Sequence, residues 1–493
     1  MKILVFLSMT AVGALTCAGG ELVESLACEP QVQYFDGVAT WWLQRFDAKR
    51  AECDTNAEVN VVFLGDSIMH NWERPAKGRA VWDANFAHGR YAAVNCGISS
   101  ERTENLIWRI EHGQFANRVP KAFVLMIGTN NLGQKDPAIE TPADTICGIR
   151  RIVQLLQMHY PETKIILHPI FPRGAKPDCE IRQRVEAVNR WIRYLADGEK
   201  VLWCDFNAKL MEPDGTLTKE HASDLLHPNA CGYEVWAEAL KPFLDYALGY
   251  SSVRPEGAKQ VEPKKFAAYE PRMSGWIDIR IGPKRGEIER NPSLYYDVVM
   301  IGDSITHMWE EDSGEIVRKT LLKDYSILNL GFSGETTQGI LWGATDGGFL
   351  EGYLTRAIQI LIGTNNFWGD DTPEDVAKGI EKIAKIAAWK HPEARILLVP
   401  LFPYGDKADN PHHLKCQEVN KIIRKLADGK RIFWCDVLGA LTTPDGLPRK
   451  DLFRGDLLHP TTAGYAVWAK AMRPHYDAAI SAQAMKRTGE APY

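Results

Sequence analysis

Five short, nearly continuous apolar runs mark the first half of the chain: VNVVFL (59–64), YAAVN (91–95), AFVLMI (122–127), KIILHP (164–169) and VLWCD (201–205). Runs of this length without in-and-out alternation predict strands buried on both faces of a parallel sheet. Between them lie longer stretches, Thr141 to His159 and Glu180 to Ala196 among them, with apolar residues at the three- and four-residue spacing of a helix face. Strand–helix alternation predicts an α/β/α three-layer sandwich with right-handed crossovers. In such sheets ligands bind outside the carboxyl ends of the strands. The polar motifs follow those ends: Gly-Asp-Ser after the first strand, Asn-Cys-Gly after the second, Gly-Thr-Asn-Asn after the third.

The whole pattern is then written again. VVFLGDSIMHNWE from Val61 returns as VVMIGDSITHMWE from Val298, identical at nine of thirteen positions. VNCGISSERT returns as LNLGFSGETT, MIGTNN as LIGTNN, HPIFPRG as VPLFPYG, LADGEKVLWCD as LADGKRIFWCD, and DLLHP as DLLHP, with the offset drifting from 237 to 231. A period this long is a duplicated domain rather than a solenoid repeat. The Pro-, Lys- and Glu-rich stretch between the copies reads as a linker. The expected organisation is domain one over 25–250, a linker over 251–267 and domain two over 268–482.

Composition narrows the class. The chain is 45% hydrophobic and 25% charged with net charge −5, and it has no long basic block, which disfavours a nucleic-acid partner. Lys2, an apolar run from Ile3 to about Ala18 and the small residues Gly19 and Gly20 predict a signal peptide over 1–19. The run is too short for a membrane span, so the expected location is secreted or periplasmic. Cys17 lies in a poor context for lipidation. Export suits the ten cysteines, with Cys28 and Cys53 a plausible bridge, although spacing alone does not settle pairing. No CxxC pair or Cys/His cluster points to a metal or other cofactor.

Candidate chemistry starts at Ser67, which sits at a strand-to-helix turn with Gly65 permitting the bend. By itself such a serine is better read as a helix N-cap. A nucleophilic serine needs a base, and His227 in DLLHP has Asp224 three residues earlier to fix its tautomer. His70, three residues after Ser67, is a rival base, but a side chain on the same helix points along that face. His307 stands in the same relation to Ser304. Acyl transfer also needs donors for an oxyanion. The Ser67 and Gly97 backbone N–H groups and the Asn130 side chain supply three. Ser304, Gly331, Asn365, Asp456 and His459 repeat the set in the same order, and core packing alone does not demand that recurrence.

Together these blocks resemble the SGNH/GDSL hydrolase superfamily, whose signature is GDS, a mid-sequence Gly, GxN(D/N) and a late DxxH. The resemblance covers both halves and is nearest to the platelet-activating-factor acetylhydrolase catalytic-subunit-like branch, through Trp108, Gly128 to Asn131, Phe171 to Gly174 and Val188-Asn189. It implies two flavodoxin-like domains, each with a five-stranded parallel sheet, no metal, and hydrolysis of small acyl esters. It assigns catalysis to Ser67, Asp224 and His227 and to Ser304, Asp456 and His459. The oxyanion holes fall to Ser67, Gly97 and Asn130 and to Ser304, Gly331 and Asn365.

Three departures stand out. Asn131 and Asn366 occupy a position where many relatives have Asp, Tyr404 stands opposite Arg173, and Gly343 stands opposite Arg109. If Arg173 and Arg109 line a substrate rim, domain one favours an anionic or polyhydroxyl substrate; otherwise both are surface residues that have drifted. The expected substrate is an O-acetylated carbohydrate, with a phospholipid-like or general small ester as the alternative. A third possibility is that one repeat is a glycan-binding module.

Overall fold

In the computed structural model, residues 25–33, 40–56, 58–113, 119–133, 140–261 and 265–482 are described. The expected signal peptide and Cys17 lie outside them. Strands β1 (Val61–Gly65), β2 (Ala93–Asn95), β3 (Ala122–Met126), β4 (Lys164–Leu167) and β5 (Val201–Trp203) form one parallel sheet in the order β2-β1-β3-β4-β5. Strands β6 (Tyr295–Gly302), β7 (Ile327–Gly331), β8 (Leu354–Leu361), β9 (Arg395–Leu398) and β10 (Ile432–Trp434) repeat that order as β7-β6-β8-β9-β10, again parallel. This is the parallel α/β architecture that the apolar pattern predicts, with the two five-stranded flavodoxin-like sheets that the family resemblance implies. Among the described residues no helix is long and apolar enough to cross a membrane.

Every residue of β1 is buried because both faces of the sheet are covered. Val61 and Phe63 face a cluster with Trp72, Trp82, Phe86 and Trp236, while Val62 and Leu64 face Leu106, Ile107, Ile146 and Ile149 on the other side. Phe63 meets the Trp82 ring edge-on at 4.9 Å and Phe86 at 5.4 Å. Burying a side chain of this size contributes roughly 1.5–3 kcal/mol.

The two halves dock through buried charge. Helix Pro142–His159 opens with a capping box in which the Thr141 N–H and hydroxyl both donate to Asp144. Asp144 also accepts from Arg285 of the second half at 3.1 Å, and neither side chain is more than 1% exposed. Arg285 donates further to the Gly348 and Glu351 carbonyls. Asp346 accepts from Arg190 and from the Trp191 indole across the same interface. The stretch expected as a linker is itself partly structured. The Ala258 carbonyl accepts from Trp203 N–H at 2.9 Å, and the backbone of Lys259 pairs with that of Asp197 in an antiparallel β-bridge, so this segment covers the edge beside β5.

Among the described residues no disulfide joins Cys28 to Cys53. Cys53 Sγ lies instead 3.6 Å from Cys96 Sγ.

Candidate active site

Ser67 opens the short helix Ser67–His70 at the carboxyl end of β1, with the Asp66 side chain capping it by accepting from Ile68 N–H at 2.9 Å. Gly65 has φ +156°, and a Cβ there would strike the Met126 carbonyl of β3, so only glycine lets the turn press against the sheet. The Ser67 hydroxyl lies 2.8 Å from His227 Nε2, and His227 Nδ1 lies 2.8 Å from Asp224 Oδ2. Asp224 Oδ1 also accepts from the His227 N–H at 2.7 Å. Leu225, between them, is held at φ +59°, a left-handed conformation costly for a non-glycine residue, and its carbonyl accepts from Gly174 N–H.

The second copy reproduces the relay and the strained turn that carries its base. Ser304 lies 2.8 Å from His459 Nε2, His459 Nδ1 lies 2.7 Å from Asp456 Oδ2, and Leu457 has φ +53°.

The donor side differs in one respect from the sequence expectation. Asn130 Nδ2 donates one hydrogen to the Glu101 carbonyl at 2.8 Å, which orients the amide and leaves its second N–H for a ligand; Asn365 does the same to the Glu335 carbonyl at 2.9 Å. The Ser67 N–H stands at a helix start, where no preceding turn supplies an acceptor. The Gly97 N–H, however, already donates to Asn95 Oδ1 at 2.9 Å, and Gly331 to Asn329 Oδ1 at 2.8 Å. Glycine is needed at 97 for another reason: a Cβ would collide with the Met69–His70 backbone.

His70 is turned away from the serine. Its Nδ1 pairs with the Ser99 hydroxyl at 2.9 Å, and burial pushes its pKa down to about 4. His307 pairs with the Ser333 hydroxyl at 2.9 Å, and burial lowers it likewise to about 4. Both rings pin the loop after the second strand of their sheet.

Arg109 corrects the sequence reading. It is neither a rim residue nor a surface one but is fully buried, donating to Glu101 Oε2 at 2.6 Å and to the Cys96 carbonyl at 2.8 Å. In copy two a Cβ on Gly343 would run into the Phe349 ring, which stacks on Phe332 at 4.8 Å. An aromatic stack therefore fills the space that an ion pair fills in copy one. Arg173 is half-buried and donates to the Thr129 carbonyl at 2.9 Å, beside the turn that carries Asn130.

Asn131 also has a physical reason to be an amide. Its Nδ2 donates to Thr103 and to the carboxylates of Glu104 and Glu140, which an aspartate would repel. Asn366 donates similarly to Thr337, Gln338 and Asp371. Neither this network nor the Glu101 anchor carries a short-range sequence signal.

Electrostatics divide the carboxyls by environment. Burial acts to raise Asp224, but the backbone and ring N–H groups of His227 outweigh it and hold the carboxyl below its ordinary value; Asp456 is held low by the same balance with His459. Asp66 is the opposite case: burial drives it to about 7 against the pull of the Ile68 N–H and of Arg173. Between its ordinary 3.8 and about 7 the folded chain holds a proton that the unfolded chain has released, so this group's contribution to stability falls as pH rises through that window. Asp66→Asn keeps the cap and removes the titration. From pH 4 to pH 8 the unfolding free energy of this variant should gain on the parent by up to ~4 kcal/mol, read by urea titration at each pH. A pH-independent difference would show that Asp66 does not titrate there.

A serine held by a histidine, itself held by an aspartate, beside an anchored carboxamide at the carboxyl edge of a parallel sheet is an arrangement suited to acyl transfer from an ester. The GDSL-like Lipase/Acylhydrolase family model matches residues 63–235 and again residues 300–467, and the chain belongs to that family, with two copies of its domain. It is similar to human platelet-activating factor acetylhydrolase IB subunit alpha1, with 30% identity over 210 residues that cover 42% of this chain and 83% of that protein. To the rat alpha2 subunit it is 29% identical over 217 residues, 44% of this chain and 87% of that one. Among solved structures it resembles a GDSL-like lipase from Bacteroides thetaiotaomicron, at 19% identity and TM-score 0.35 over 41% of this chain and 97% of that one. It also resembles an acetyl xylan esterase, at 20% identity and TM-score 0.31 over 36% of this chain and 98% of that one.

Proposed function

We propose that this acylhydrolase is an exported carbohydrate O-acetylesterase with a working site in each domain. The observation that carries the two-site reading is the unbroken Ser–His–Asp hydrogen-bond relay in both copies. Ser67 Oγ attacks the ester carbonyl while its proton passes to His227 Nε2, and Asp224 holds the imidazolium. The developing oxyanion takes the free Asn130 N–H and the Ser67 N–H. Gly97 joins them once its N–H is shared between Asn95 and the substrate oxygen. His227 returns the proton to the departing alcohol, then activates a water that releases the acid. Ser304, His459, Asp456, Asn365 and Gly331 act in the same roles in domain two.

An acetyl acyl group fits relatives named as acetylhydrolases. Indole rings can stack on sugars, but of the 15 tryptophans Trp42, Trp72, Trp236, Trp309, Trp342 and Trp468 are core residues and offer no face to a glycan. The names of the relatives favour a second reading, hydrolysis of an acetylated phospholipid-like ester. A purely glycan-binding repeat is disfavoured because neither relay has lost a member.

Acetate release from acetylated xylan and from a short-chain acetylated phospholipid, at matched ester concentration, separates the two substrate readings. The expected result is a higher kcat/KM on the glycan. Preference for the lipid would replace the carbohydrate reading, and equal rates on both would mark a general small-ester hydrolase.

A further inference from the structure

The two sites differ where the catalytic asparagine loop meets the loop that supports the catalytic histidine. In domain two, Asn365 lies in the turn Thr364–Trp368, and Trp368 at its end is 63% exposed. Its indole meets the Tyr404 ring at 5.5 Å and the His412 ring at 4.9 Å, while Tyr404 and His412 meet at 4.8 Å. His412 is buried, and its Nε2 pairs with the Thr364 hydroxyl at 3.1 Å, which ties the cluster to the residue before Asn365. Tyr404 is followed by Gly405, whose N–H reaches the Leu457 carbonyl at 3.4 Å, inside the Asp456–His459 turn. The three rings thus join the loops that deliver the oxyanion donor and the base. A single exposed apolar residue needs no explanation. A tryptophan fixed by two rings at a site edge is different, because its orientation has been set without burying its face.

Domain one has no such platform among its described residues. The positions equivalent to Trp368, Tyr404 and His412 are Gly133, Arg173 and Ile181, and a Cβ on Gly133 would collide with the Arg173 guanidinium. The arginine and the tryptophan are therefore alternatives for one place beside the site.

We propose that Trp368, backed by Tyr404, is a ring-stacking subsite of domain two that receives the pyranose bearing the acetyl group, and that domain one lacks it. A pyranose face lined by C–H groups is apolar and flat enough to lie on an indole, while its hydroxyls stay in water. This inference rests on the acetylesterase reading for its substrate but not for its geometry.

The test uses the full chain. In Ser67→Ala/Ser304→Ala, acetylated xylo-oligosaccharide is titrated by calorimetry with and without Trp368→Ala. Kd should rise about tenfold, the size of one aromatic contact, and Trp368→Phe should recover most of the loss. In Ser67→Ala alone, Trp368→Ala should lower the ratio of kcat/KM on that oligosaccharide to kcat/KM on ethyl acetate by a similar factor, through KM. Leu354→Ala, exposed at the opposite end of the sheet, should leave that ratio as it is. An unchanged Kd and ratio on removing Trp368, or no oligosaccharide binding at all, overturns the subsite. Binding that depends on Trp368 in a domain two that hydrolyses neither ester keeps the subsite and overturns the esterase reading of that domain.

Discussion

Replacing Ser67 and Ser304 together by alanine should lower kcat on a small acetyl ester by a factor on the order of 10⁴–10⁶, the scale on which serine hydrolases lose turnover with their nucleophile. Each single variant should retain the share of the other domain, so the two residual rates should sum to that of the parent. The expectation follows from the closed relays at 2.7–2.8 Å in both copies and from the separate Asp partner each histidine has. Full activity in Ser67→Ala would mean that domain one contributes no turnover. Substantial turnover in the double variant would remove the serine mechanism. Circular dichroism and unfolding midpoints guard against a trivial loss, since Ser→Ala at a helix start whose cap is Asp66 should change stability little.

The second large effect is on stability. Arg109→Ala should destabilise domain one by roughly 3–5 kcal/mol, because it leaves the Glu101 carboxyl buried without its partner. For a domain of this size that is a fall of about 10 °C in unfolding midpoint. Burial has already pushed Glu101 up to about 7 despite the attraction of Arg109 and a hydrogen bond from the Trp42 indole. Without the guanidinium it should be protonated across the neutral range. Glu101 also presents the carbonyl that anchors Asn130, so kcat of domain one should fall along with stability. The measurement is thermal unfolding alongside kinetics in a Ser304→Ala background. A rim arginine would behave differently, raising KM for anionic esters with the midpoint unchanged. Glu101→Gln combined with Arg109→Met should recover much of the stability, because it removes both charges at once.

Arg109 also shows where reading the chain stops. Its carboxylate partner lies eight residues away, but only the folded loop brings the two together, and the guanidinium looks the same in sequence whether buried or solvated. Its counterpart Gly343 looked like the loss of a charge, yet Phe349 fills the volume, a substitution visible only in three dimensions. The Gly97 and Gly331 amides are similar cases. Their place at strand ends was legible, but their bonds to Asn95 and Asn329 depend on a side chain two residues back turning inward. The set-aside histidines found their role the same way, when His70 and His307 met Ser99 and Ser333 from the next loop.

By itself the sequence determined the five apolar strands of each half, their parallel burial, the duplication, and the residues that assemble at the strand ends. These follow from period, local turn chemistry and repetition, which act over a few residues and survive without knowledge of partners. The tertiary structure alone decided which charges are buried in pairs, how the halves dock through Asp144 and Arg285, and which rim carries a guanidinium or an exposed indole. Those outcomes depend on desolvation and on contacts between residues from eight to more than a hundred positions apart, and no local pattern encodes either.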